Sequence, residues 1–420
     1  MKNIKSKLNR KNIIFAIFVI LIIKFVFGEI LSLYKYYTAP SFIKEFSVED
    51  ALHDYDYMWK RLEENYPYFQ VAERVLQLDI NEIKLSYRNK IAEKSSISFD
   101  EFYDIIFNCS REFKEVGHFT VLPSGSYKML KNSFESLSNA IDSEYHDFLY
   151  TKLIDDKTIS AYDYLYKPEL IHLLSKISIK PPNNIIIKEI DEETVYLQIN
   201  SIWQDNVDND AEILMNFFEE NKLKKNIIID MRKSGGGSDY YWSNNIVAPN
   251  IDKAISSNYK VLFKNTMQNR EVLNMVGGDY VEGLDGLKEL PEFDFHSFDE
   301  NTIVRNSSFA VEPLYDKKIL SGDIFVLIDD STYSSEEGFA YFCKSTGFAT
   351  LIGQPSDGDG PGINPFYDIL PRSGLIFVYR ISYTLNPDGS CNAEIGTKPD
   401  FYSHSGENVL DAAIRIISEN

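Results

Sequence analysis

Ile324-Phe-Val-Leu-Ile-Asp-Asp-Ser-Thr-Tyr-Ser334-Ser-Glu-Glu337-Gly-Phe-Ala340 is the stretch on which the fold of this chain turns. Five apolar residues in a row suit a strand covered on both faces. A short polar turn follows, then a helical pattern from Phe339 to Cys343. Ser334 stands at the corner with Glu337 three residues on, which reads as a capping box for that helix. The same corner suits a nucleophile. It puts a hydroxyl at the sheet's edge, where a helix N-terminus offers N–H groups and a positive dipole end to a developing oxyanion.

Working outward, Ile185 to Ile187, Val195 to Ile199, Asn226 to Asp230 and Leu375 to Tyr379 are further short β-rich runs. Helical patterns lie among them, at Leu214, Phe217 and Phe218 and at Val409 to Ile417. Alternation of this kind predicts an α/β core over residues 185–420. Residues 265–312 look irregular, like an insertion. Upstream, Ser47-Val-Glu-Asp50 and Ser98-Phe-Asp-Glu101 read as helix starts. Residues 125–178 read as mainly helical, so 40–184 is expected to be an N-terminal helical region ending at Pro181-Pro182.

Apolar residues make up 44% and charged residues 25%, the balance of a folded soluble body. The net charge of −20 contains five basic residues within 1–12 (Lys2, Lys5, Lys7, Arg10, Lys11), leaving −25 for the remainder. A body that acidic repels phosphate backbones, which argues against nucleic acid as a partner. The basic tail, read as cytoplasmic, leads into eleven apolar residues, Ile13 to Ile23. Residues 13–34 read as a signal anchor that crosses the membrane once, with a cleaved secretory signal as the alternative, and either one leaves the body outside the cytoplasm. Three cysteines (Cys109, Cys343, Cys391) form neither a disulfide framework nor a metal cluster.

Three other segments carry chemistry-bearing residues. Ile227-Ile-Ile-Asp-Met-Arg-Lys-Ser-Gly235-Gly-Gly237 is a buried strand ending in consecutive glycines, which let backbone N–H groups approach a ligand or simply form a flexible turn. His118 is one of six scattered histidines without metal-ligand spacing, so no metal site is expected. Asp388-Gly-Ser-Cys-Asn-Ala-Glu394 places one carboxylate after a turn.

In this order, the segments resemble the tail-specific (C-terminal processing) serine peptidases, nearer their tricorn-like, histidine-using branch. The glycine turn Asp230–Gly237 and the Ser-x-x-Glu motif at 334–337 carry most of the resemblance. Gly353 and Gly396-Thr-Lys-Pro-Asp400 fall at later landmarks. The resemblance implies a crotonase/ClpP-like α/β core, with Ser334 as nucleophile and the N–H groups of Gly236 and Ser335 as oxyanion hole. Gly235, Glu337 and Asp359 are secondary candidates. Lysine-dyad members carry a lysine twenty-five residues after the nucleophile, where this chain has Asp359, and a carboxylate cannot replace that amine as base. The implied base is therefore His118, in Gly117-His118-Phe-Thr120, with Glu394 as its orienter. Gly117 departs from tricorn, which places a supporting serine there. Residues 121–184 lack a PDZ signature. The expected activity is hydrolysis of peptide or protein substrates without metal or organic cofactor. The rival expectation is an inactive peptide-binding surface protein on the same fold. An esterase is weaker, since no Gly-x-Ser-x-Gly elbow surrounds Ser334.

Overall fold

A computed structural model describes residues 37–140, 143–166, 183–285, 287, 290–291, 293–294 and 298–419. The basic tail and the expected anchor at 13–34 lie outside the described residues, as do 167–182. Among the described residues no helix is long and apolar enough to cross a membrane.

A six-stranded sheet runs in the order Phe401–Tyr402, Thr350–Gly353, Asp323–Ile328, Asn226–Asp230, Thr194–Ile199, Ile185–Glu189. The first five are mutually parallel and the last is antiparallel. The apolar runs follow from what covers each face. Val195, Leu197, Ile227, Ile229 and Val326 pack under helices Gln204–Glu220 and Ser335–Thr346. Tyr196, Ile228, Leu327 and Ile352 face the C-terminal helix Val409–Glu419 instead. With both faces buried, neither alternate set could be polar.

The N-terminal helices start as the sequence predicts. Ser47 Oγ accepts from the Asp50 N–H at 3.1 Å, and Asp50 Oδ2 accepts from the Ser47 N–H at 3.2 Å. Ser98 caps Phe99–Arg111. These helices share one large aromatic core with two antiparallel sheets. One of these joins Thr120–Val121 to Ile376–Tyr379 and Phe366–Ile369, which ties the end of the helical region to the late part of the chain.

Residues 265–312 are more regular than expected. Helix Met267–Val276 leads to strand Thr302–Val311, which pairs over its whole length with Ile255–Lys264. From Arg305 on, exposed residues (Asn306, Ser308, Ala310) alternate with partly buried ones (Arg305, Ser307, Phe309), as in an antiparallel strand covered on one side.

Candidate active site

Strands Asn226–Asp230 and Asp323–Ile328 are parallel neighbours, with Asp230 opposite Leu327. Their C-terminal loops therefore emerge side by side, the usual place for a site in a parallel sheet. The glycine turn comes from the first and the Ser334 corner from the second. A Cβ built on Gly236 would lie 3.1 Å from the Ser334 Cβ.

Ser334 has φ 58° and ψ −124° and occupies the N-cap position of helix Ser335–Thr346 without a side-chain cap bond. The expected capping box is absent. Glu337 is fully buried, and its Oε1 accepts from Asn392 Nδ2 and Thr397 Oγ1 at 2.6 Å each, so it ties the helix to the 392–397 segment. Released from capping, the Ser334 hydroxyl points to His118, whose Nε2 lies 3.0 Å from Oγ.

His118 arrives from the N-terminal region through a tight turn, Gly117 at φ 56° and His118 at φ 55°. A Cβ on Gly117 would stand 2.4 Å from the Tyr68 ring, and this explains why no serine can occupy that position. The other imidazole nitrogen, Nδ1, lies 2.6 Å from Asp359 Oδ2. This corrects the expectation for Glu394, whose carboxylate is engaged bidentately by Arg74, with Nε at 3.0 Å and Nη2 at 2.6 Å. Arg74 comes from the early helix Phe69–Leu76, and its charge holds Glu394 in that ion pair rather than against the imidazole.

Asp359 sits at φ 60° between two glycines. The Gly358 carbonyl accepts from the Ser334 N–H at 3.3 Å. A Cβ on Gly360 would come within 2.3 Å of the Gly338 N, so this loop can lie against the nucleophile's helix only as glycine. Burial alone would push the Asp359 carboxyl up. The Arg380 guanidinium, the adjacent imidazole and the Tyr333 hydroxyl outweigh that and leave it below its ordinary value. Arg380 Nε lies 3.2 Å from Asp359 Oδ1.

Of the seven described non-glycine residues with positive φ, three are Ser334, His118 and Asp359. Such backbone is strained by roughly 1–3 kcal/mol per residue and persists where the surroundings over-determine it. Tyr333 was not foreseen. Its ring stacks on His118 at 4.8 Å between centroids, and its hydroxyl donates to the Glu115 carbonyl at 2.8 Å while lying 3.0 Å from Nδ1.

The two expected oxyanion donors fare differently. Ser335 opens its helix, so its N–H belongs to the first-turn donors that lack an intrahelical acceptor. The Gly236 N–H donates to Glu336 Oε1 at 3.2 Å, so a buried carboxylate occupies it. That carboxylate also accepts from Ser234 Oγ, and its Oε2 is buried without a partner among the described residues. Burial pushes Glu336 up to about 7, against hydrogen bonds from Ser234 and the glycine turn that favour the charged form.

Solved structures share this fold at low identity. A suspected peptidase from Parabacteroides merdae is 18% identical, covering 88% of this chain and 96% of that one at a TM-score of 0.50. Mature CPAF in complex with lactacystin is 13% identical, covering 84% and 94% at 0.50. No curated protein matches the chain. Residues 193–403, half of the sequence, match the family described as Peptidase family S41. The chain belongs to peptidase family S41, a family of serine peptidases.

Proposed function

We propose that the protein is a serine endopeptidase of the histidine-using kind, which cleaves peptide bonds through an acyl-enzyme on Ser334. The observation that carries this reading is one continuous hydrogen-bonded line: Ser334 Oγ to His118 Nε2 at 3.0 Å, and His118 Nδ1 to Asp359 Oδ2 at 2.6 Å. His118 takes the Ser334 proton on Nε2 as Oγ bonds to the scissile carbonyl carbon. It then returns that proton to the leaving amine, and water repeats the sequence on the ester. Asp359, in place of Glu394, keeps the Nδ1 proton facing away from the nucleophile and balances the imidazolium. The oxyanion is received by the Ser335 N–H and by the glycine turn. For Gly236 to serve, the substrate oxygen must displace Glu336 Oε1 from its N–H, which is easier once Glu336 is protonated.

The last point favours a second reading, a peptide-binding protein without catalysis. A carboxylate already on the Gly236 N–H is the arrangement expected of a site that does not stabilise an oxyanion. A fluorophosphonate probe separates the two. Labelling of wild type that is lost in both Ser334→Ala and His118→Ala supports the peptidase. An unlabelled, well-folded wild type favours the binder.

The protein's place is part of the same proposal. Residues 13–34 anchor it to the membrane, with the catalytic body outside the cytoplasm, because a basic flank precedes an apolar run. Membrane fractionation of chains with and without these residues tests it. Recovery of both forms in the soluble fraction would sink it.

A further inference from the structure

We propose that Arg380 is a positioning residue of the Ser334–His118–Asp359 line, a clamp that fixes the His118 and Asp359 turns to each other. This rests on the reading of those three residues as a triad.

Arg380 follows strand Ile376–Tyr379 directly and is only 4% exposed. Its two ends grip different turns. The backbone N–H donates to the Gly117 carbonyl at 2.7 Å, extending the pairing of Thr120–Val121 with Ile376–Tyr379 up to the residue before His118. The guanidinium reaches the other way. Nη1 donates to the Pro361 carbonyl at 2.9 Å and the Gly360 carbonyl at 3.3 Å, while Nε lies 3.2 Å from Asp359 Oδ1. One residue thus holds the backbone on one side of His118 and on the other side of Asp359. Both turns have left-handed backbone, which needs such external restraint to persist.

The charge has its own consequence. Asp359 divides its two oxygens between Arg380 and His118. The other ionisable groups facing this pair include the Asp239 carboxylate, the Glu337 and Asp357 carboxyls, the Tyr66, Tyr68 and Tyr333 hydroxyls and the Cys391 thiol. Among the described residues, the cations that act most strongly on Asp359 are Arg380 and His118 once protonated. Arg380 therefore opposes extra proton binding at the His118–Asp359 pair. Its removal makes that pair hold a proton more tightly, whichever member carries it.

Two variants of the full-length protein separate grip from charge. Arg380→Lys keeps the charge but cannot reach both carbonyls with a planar fork. It should lower kcat roughly 10- to 100-fold with KM little changed, and leave the acid limb of the kcat/KM profile in place. Arg380→Met removes both and should also move that limb up. If Arg380 merely neutralises a buried carboxylate, Arg380→Lys will match wild type in kcat, and that result overturns the clamp. A double variant, Arg380→Met with Asp359→Asn, guards against misfolding. It should recover stability lost in Arg380→Met but no activity. Proton NMR supplies a readout independent of turnover. The downfield signal of the His118 Nδ1 proton should survive in Ser334→Ala and shift or vanish in Arg380→Lys. An unchanged signal overturns the clamp. A wild type with that signal but no turnover refutes the peptidase reading and leaves the clamp standing.

Discussion

Replacing Glu336 by glutamine should change how stability depends on pH, and the size of the effect follows from the site. Glu336 is 2% exposed, and burial raises its carboxyl from 4.5 to about 7. Below pH 4.5 the folded and unfolded chains both hold the proton. Between 4.5 and about 7 the unfolded chain releases it while the folded chain keeps it, so stability falls as pH rises. At 1.36 kcal/mol per pH unit the full separation is worth about 3 kcal/mol, and most of that is lost between pH 5 and pH 8. Glutamine can accept from the Gly236 N–H without carrying charge, so its variant lacks this slope. Glu337, also raised to about 7 by burial, contributes equally to both proteins and cancels in the comparison. Urea denaturation at intervals from pH 5 to pH 8 should show the variant gaining about 2 to 3 kcal/mol on wild type across the range. A difference between the two proteins that stays constant with pH would refute the claim that this carboxylate is held in a medium hostile to its charge.

Asp359→Asn should lower kcat by on the order of 10³–10⁴, whereas Glu394→Gln should leave kcat within a factor of about three. Steady-state kinetics on circular-dichroism-checked protein decides which carboxylate orients the imidazole. Loss of the Arg74–Glu394 pair, which is partly exposed, should cost no more than about 1 kcal/mol in denaturant titration. Gly117→Ala adds a methyl where the Tyr68 ring already stands and demands a left-handed backbone of alanine. It should destabilise by about 2–4 kcal/mol in the same titration and abolish probe labelling of Ser334.

Much of the core was legible because burial on both faces leaves an unmistakable apolar run, as at Ile227–Ile229. The same rule hid strand Thr302–Val311, whose one-sided alternation resembles an irregular segment when the hairpin partner is unknown. Ser334 and His118 were readable from motif order. The sequence offers Asp359 as a secondary candidate without a role, because its acidity forbids the part of replacement base and its position beside His118 depends on the fold. Glu394 cannot be separated from Asp359 by sequence, because the partner that holds it, Arg74, lies 320 residues away and no local pattern announces such a pair. The capping box failed for a backbone reason. A serine at φ 58° and ψ −124° is not in the extended conformation from which a side chain reaches back to its helix.

The pairing of Thr120–Val121 with Ile376–Tyr379 bears on when during its life the protein could become dangerous to its maker. Chains emerge from the ribosome N-terminus first, at roughly 5–20 residues per second. His118 would leave the tunnel long before the strand and the arginine that hold it in place. A nascent chain lacking those last segments has the imidazole and, for a while, the serine, but nothing to bring them together. In the proposed mechanism the chain therefore stays inert until residues 376–380 have been made, because the piece that positions His118 is synthesised after both His118 and Ser334.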